Sequence, residues 1–202
     1  MFVQVIQAPA GDAAGIRRLM DRWVAELADG AEGWLGSTAG VTDGGEFVAT
    51  ARFESEESAR RNSGRTDQAA WWAELEKQLA GPATFQDCRD AVTFLAGGSD
   101  DAGFVQVIQS RIADAGRVRD LVDRMAELDA GDFGRDDVLG GIVAWDPQMV
   151  TEVFYFTSEA EARVAEAEPH ESEHAAALLA EWDAAVTDVR YLDLREPWLW
   201  SP

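Results

Sequence analysis

The chain has 202 residues, 38 acidic against 17 basic side chains, a formal net charge of -21, 8 Trp and one Cys. With no surplus of Lys or Arg to displace counterions from phosphates, nucleic acid is excluded as the expected partner and anionic membrane surfaces are disfavoured. A hydrophobic content of 47% is that of a globular chain, no stretch reaches the roughly 20 apolar residues of a membrane span, and Cys88 has no second thiol to pair with. The opening Met1 to Gln7 lacks the basic region and apolar core of a signal peptide, so a cytoplasmic protein is expected.

The chain is a repeat. Phe2-Val3-Gln4-Val5-Ile6-Gln7 recurs letter for letter as Phe104-Val105-Gln106-Val107-Ile108-Gln109. At the same spacing Ile16 to Arg22 meets Val118 to Arg124. Trp34-Leu35-Gly36 aligns with Val138-Leu139-Gly140, Phe53 to Arg60 with Phe156 to Arg163, and Asp87-Cys88-Arg89 with Asp188-Val189-Arg190. Such self-similarity marks two copies of one module: residues 1–96 and 104–194, a small polar linker at 97–103, and a Trp-rich tail at 195–202. Residues 1–100 carry 16 acidic and 9 basic side chains and residues 101–202 carry 22 and 8, so most of the negative charge belongs to the second copy. A solvated acidic surface accounts for it.

In chain order, each copy opens with a short β-branched strand that is apolar on both faces except for its glutamines. Pro9-Ala10-Gly11 ends the first, and Asp12 is placed to cap a helix. Ile16, Leu19, Met20, Trp23 and Leu27 draw one apolar stripe along that helix, as Val118, Leu121, Val122, Met125 and Leu128 do in the second copy. Asp29-Gly30 supplies the stop. A hairpin follows, Trp34 to Thr42 and Glu46 to Phe53 around Asp43-Gly44-Gly45, matched by Leu139 to Trp145 and Met149 to Phe156 around Asp146-Pro147-Gln148. Helical segments come next, opened by Ser55 and by the capping box Ser158-x-x-Glu161; their second parts run from Thr66 to Leu79 and from about Pro169 to Val186. The last strands are Phe85 to Leu95 and Thr187 to Leu194. The order β-α-β-β-α-β is the ferredoxin-like unit. Helices cover one face of such a sheet, so an apolar second face needs a partner. The expected fold is α+β: two tandem ferredoxin-like repeats packing sheet to sheet as an intrachain pseudo-dimeric α+β barrel, a monomer with an internal pseudo-two-fold.

The strand Phe-Val-Gln-Val-Ile-Gln, the Gly-Trp-Leu-Gly opening of the second strand, the Phe53-x-Ser55-x-Glu57-x-Ala59-Arg60 stretch and Trp71-Trp72 resemble the antibiotic-biosynthesis-monooxygenase (ABM)-like domains of the dimeric α+β barrel superfamily. The resemblance covers nearly all of both copies. It implies a pocket for a small apolar or aromatic molecule and, in some members, oxygenation without metal or prosthetic group by Asn, Trp and Tyr around an easily oxidised aromatic substrate. Asn62 and Trp71 or Trp72 are the rough matches here. Tyr is missing from the first copy, since the two tyrosines are Tyr155 and Tyr191. A haem-degrading branch uses an Asn on the first strand and a His on the second helix, and the first copy has neither.

The residues themselves point to a few candidates. Gln4 and Gln106 share one strand face with Phe2, Ile6, Phe104 and Ile108; Gln7 and Gln109 lie on the other. A buried amide must find partners: each other or backbone across the barrel, or a ligand. Trp34, at the start of a strand, is the aromatic expected nearest a pocket. Trp72 follows a helical stripe with Leu75 and Leu79, a core pattern, whereas Trp71 lies off that stripe and is expected to face a cleft. Gln4, Trp34, Asn62, Trp71, Trp72 and Gln106 are therefore the pocket candidates, and no catalytic residue is singled out. His170-Glu171-Ser172-Glu173-His174 is formally H-E-x-x-H. It follows Pro169, carries a charged Glu173 within it in Glu-rich surroundings and has no third ligand, so it reads as solvated helix surface, and neither metal nor cofactor is expected. The tail, with Trp198 and Trp200, is expected to fold back on the body. Two functional classes stand: a small-molecule-binding ABM-like protein, up to a cofactor-independent monooxygenase, and a non-catalytic structural or interaction module.

Overall fold

The computed structural model describes residues 1–95, 97–126, 135–167 and 173–202. They divide into two compact units, Met1–Asp90 with Glu196–Pro202, and Ala91–Arg195. The first contains β1 (Phe2–Pro9), α1 (Ala13–Glu26), β2 (Trp34–Val41), β3 (Glu46–Phe53), α2 (Glu56–Ser63), α3 (Thr66–Leu75), β4 (Thr84–Cys88) and the tail strand β10 (Trp198–Trp200). The second contains β5 (Asp90–Leu95), β6 (Phe104–Ile112), α4 (Ala115–Ala126), β7 (Val138–Trp145), β8 (Met149–Phe156), α5 (Glu159–Ala167), α6 (Glu173–Ala185) and β9 (Val186–Leu194). The protein is thus α+β, with the ferredoxin-like order in both halves.

Two five-stranded sheets form, in the orders β10-β2-β3-β1-β4 and β5-β7-β8-β6-β9. They correspond strand for strand. β1 pairs antiparallel with β3, Phe2 opposite Phe53 and Ile6 opposite Ala49; β6 pairs in the same way with β8, Phe104 opposite Phe156 and Ile108 opposite Glu152. The edge positions hold a surprise. The segment expected as one last strand, Phe85 to Leu95, is split: β4 pairs with β1, whereas β5 is an edge of the second sheet. The tail takes the matching edge of the first sheet, with Trp198 opposite Ala39. A sequence repeat reports shared ancestry, while an open sheet edge accepts any extended segment that reaches it. For this reason the units cut the chain differently from the repeat boundaries at 96 and 195.

Helices form where the pattern asks for them. Asp12 caps α1, its Oδ1 accepting from the Gly15 N–H at 2.9 Å. The stripe of α1 sets Ile16, Met20 and Trp23 into a core with Phe2, Phe47, Ala49, Phe53 and Leu75. In the second unit Val118, Leu121, Val122 and Met125 of α4 join Leu178 and Trp182 of α6 and Phe94 of β5. Ser158 caps its helix, with the Glu161 N–H donating to Ser158 Oγ at 3.2 Å, and the Ser158 hydroxyl donates to Glu161 Oε2 at 2.9 Å. The helix expected to reach Leu79 ends at Leu75 in a 3-10 turn, Glu76–Gln78. The buried apolar residues of α3 are Trp71 and Leu75, one helical turn apart, and Trp72 is half-buried. Trp72, expected in the core, is therefore the less buried of the two tryptophans.

Two glycines permit close approach at these edges. Gly36 sits at the β2 bulge with φ +120°, and a Cβ there would lie 2.7 Å from the Trp200 carbonyl oxygen. A Cβ on Gly141 would run into the ring of Phe94 on β5. His170 and Glu171 lie outside the described residues, and of His174 only its place in α6 is described. Among the described residues no helix is long and apolar enough to cross a membrane.

Trp198 is 7% exposed, with its ring 6.5 Å from Phe47 and beneath the Arg17 guanidinium. If the tail is an integral strand, Trp198→Ala lowers unfolding free energy by about 3 kcal/mol, as for other buried large-to-small changes. Urea unfolding followed by circular dichroism measures it, and a loss below about 1 kcal/mol would mean that the tail only rests on the surface.

Candidate functional site

Between the first sheet and α1–α3 lies a cavity of about 420 Å³. It exists because the helix-facing side of β1–β3 carries small residues, Ala49 and Ala51, under large aromatics. Trp23 and Trp34 meet edge to face with centroids 5.1 Å apart; Trp71 is 6.4 Å from Trp23, Trp72 is 6.1 Å from Trp71, and Phe85 is 5.3 Å from Trp72. Three indole N–H groups are spent inside the protein: Trp34 Nε1 donates to Ser37 Oγ at 3.0 Å, Trp71 Nε1 to the Leu19 carbonyl at 2.7 Å and Trp23 Nε1 to Gln68 Oε1 at 2.5 Å. The rings are thereby fixed as walls.

The polar lining is defined by the same logic. Arg65, between α2 and α3, donates through Nη1 to the Leu27 carbonyl at 2.9 Å and to Asn62 Oδ1 at 3.1 Å, while Nε and Nη2 grip Asp67. That grip holds the Asp67 carboxyl below its ordinary pKa. A guanidinium can only donate, so the Asn62 atom facing it is the oxygen, and the amide NH2 is left as the uncommitted donor. An indole N–H likewise fixes the Gln68 oxygen and leaves the Gln68 NH2 uncommitted. Asn62 is buried, and both amides line the cavity. Gln4 Nε2 donates to Asp87 Oδ1 at 2.8 Å, so its uncommitted atom is the amide oxygen.

The second unit has a cavity of about 570 Å³ at the corresponding place, with different chemistry. Gln106 repeats the first-unit pairing, donating to Asp193 Oδ1 at 2.9 Å. Glu152 stands where the first unit has Ala49. It is 5% exposed; its Oε2 accepts from Trp182 Nε1 at 3.2 Å, and burial, with Asp183 nearby, pushes its pKa up to about 8 against the opposing pull of the indole. Arg135 makes a bidentate pair with Asp137 at 2.7 Å, and Arg163 pairs with Asp193 and Glu166. Among the described residues no three His, Cys, Asp or Glu side chains converge as a metal site requires.

No protein-family model and no curated protein sequence matches the chain. Solved structures do match in fold. A candidate monooxygenase of Fusobacterium nucleatum superposes with a TM-score of 0.75 at 8% identity, over 99% of this chain and 94% of its own. One from Lactobacillus acidophilus NCFM gives 0.69 at 11% identity, over 99% of both. An anthrone oxidase-like protein gives 0.61 at 11% identity, over 98% and 93%. The chain thus shares its fold, over nearly its whole length, with these structures.

In this fold, five of the six sequence candidates, Gln4, Trp34, Asn62, Trp71 and Trp72, line the first cavity, and Gln106 lines the second. Gln4 and Gln106 each donate to a carboxylate on the neighbouring strand, Asp87 and Asp193. The register also makes Asp193, not Asp188, the partner of Asp87 in the repeat. Sequence reasoning passed over Arg65, Gln68 and Glu152. For Glu152 a signal existed: in Met149 to Phe156 a carboxylate occupies an inward-facing position of an otherwise apolar strand.

The folded protein holds the Glu152 proton up to about pH 8, whereas an unfolded glutamate releases it near 4.5. Native stability therefore falls as pH rises through that window. Glu152→Gln is expected to match the wild type near pH 5 and to exceed it by about 1 kcal/mol or more at pH 8. Thermal unfolding of both proteins at the two pH values measures this, and parallel curves would sink the assignment.

Proposed function

We propose that the first unit binds a flat, hydroxylated aromatic molecule in its tryptophan-walled cavity and oxygenates it without a metal or prosthetic group. The observation that carries this reading is the Asn62 amide. It is buried, oriented by Arg65, and has its NH2 free in an apolar cavity, where a hydrogen bond to a developing oxyanion is strongest. The aromatic walls take up the flat body of the ligand. The Gln68 NH2 offers a second donor and the Gln4 oxygen an acceptor. Full-length fold likeness to candidate monooxygenases and to an anthrone oxidase-like protein supports the same class.

For an anthrone-type substrate the chemistry balances without an added reductant. The enol tautomer loses its O–H proton, and the enolate, its oxygen held by Asn62, supplies electrons from its ring carbon to O2. A C–O bond forms to give a hydroperoxide; loss of the remaining C–H proton with O–O cleavage yields C=O and water. One CH2 and one O2 become one C=O and one H2O. The same reading expects the protein in the cytoplasm, and its single thiol, Cys88, is buried.

Oxygen uptake and product absorbance with anthrone and its hydroxylated derivatives test the proposal. Asn62→Ala should lower kcat/KM by about 100-fold with the far-UV spectrum unchanged. If the wild type neither quenches its Trp fluorescence with these compounds nor exceeds the buffer rate, the reading is wrong.

A further inference from the structure

We propose that the cavity of the second unit is a separate binding site for an apolar molecule carrying a basic nitrogen. It starts from the one position at which the two inner faces differ most in chemistry: β3 presents Ala49, and β8 presents Glu152 at the same register. A buried carboxyl is costly unless a cation or several donors meet it. Here one oxygen takes the Trp182 indole N–H, and among the described residues no basic side chain pairs with the carboxyl. The neighbouring Ser110 hydroxyl on β6, 1% exposed, is unpartnered and lines the same cavity. These groups hold polar capacity that the protein itself does not use.

The remaining charges select the sign of the ligand. Arg135 and Arg163 line this cavity, but Arg135 is committed to Asp137, and Arg163 to Asp193 and Glu166. Asp183 on α6 adds an acid, and β9 adds Tyr191 and Asp193. α4 contributes only Met125, β7 Val138, and β6 the neutral Gln106, Ile108 and Ser110. Among the described residues, the acids lining the cavity without a basic partner are thus Glu152 and Asp183. Trp182, whose N–H points to Glu152, offers an aromatic face of the kind that attracts a cation. Phe154, Phe156, Leu178 and Val186 receive the apolar body. An ammonium entering at neutral pH displaces the Glu152 proton and becomes the missing counter-ion.

Isothermal titration of the full chain with 2-naphthylmethylamine and with 2-naphthalenemethanol, its near-isosteric alcohol, tests this. At pH 7 the amine should bind at least tenfold more tightly. Titrations in buffers of different ionisation enthalpy should show release of about one proton, and affinity should weaken about tenfold from pH 7 to pH 6. Glu152→Gln should weaken amine binding about thirtyfold or more while alcohol binding stays. Asp183→Asn, at the surface, should weaken the amine severalfold and leave proton release intact. Equal affinities in the wild type, no binding of either probe at millimolar concentration, or amine preference surviving in Glu152→Gln would each overturn the proposal. Should that variant not fold, the wild-type preference and proton release decide by themselves. A naphthyl probe can also enter the first cavity, which has Ala49 where the second has Glu152, so it is the proton release and the loss of amine preference in Glu152→Gln that report on the second unit.

Discussion

The antiparallel pairing of β1 with β3, and of β6 with β8, sets the side on which every group of interest lies. Side chains alternate along a strand, so a slip of one residue would carry Gln4, Ile6, Ala49 and Ala51 from the helix side to the opposite side. The register is held by the apolar inner faces and by the tight hairpins Thr42–Glu46 and Asp146–Met149, whose backbones close on themselves. With it fixed, the Gln4–Asp87 and Gln106–Asp193 pairs fall at the same place in the two sheets. Such charge-assisted amide contacts add orientation to a face that packing alone would leave apolar.

On that frame the two units diverge through a small number of substitutions. In the first, small residues on the sheet and large ones on the helices leave space, and Trp N–H groups find internal acceptors so that the rings stay in place. Arg65 has the largest structural reach of any residue at this site. Its five N–H donors tie the end of α1, the Asn62 oxygen and Asp67 into one arrangement, and it thereby decides which end of the Asn62 amide is free. In the second unit an ionisable group replaces a methyl at the centre of the inner face. Desolvation opposes its charge, and this gives a cavity of similar location an acidic, titratable character. Duplication supplied two copies of one frame, and single positions such as 49 and 152 made them chemically distinct.

Much was legible in the sequence because it rests on local physics. The recurrence of Phe-Val-Gln-Val-Ile-Gln, the 3.6-residue stripes of the helices, the Asp12 and Ser158 caps and the Gly-rich hairpin turn each involve residues within a few positions of one another. The candidates Gln4, Trp34, Asn62, Trp71 and Trp72 were within reach because amides and tryptophans on amphipathic elements are chemically conspicuous. The relative burial of Trp71 and Trp72 was not, since it depends on how α3 packs against α1, where the Trp71 indole N–H meets the Leu19 carbonyl.

Taken alone, the sequence determined the duplication, the order of elements and the α+β class, because hydrophobic period and capping act over a few residues. Only tertiary structure decided that β5 completes the second sheet and β10 the first, because edge pairing is chosen by proximity between segments far apart in the chain. It alone showed that Gln4 meets Asp87, 83 positions away, that Arg65 turns the Asn62 amide, and that Glu152 lies buried against Trp182. Whether a carboxyl is charged, or an amide hydrogen free, depends on which distant groups surround it.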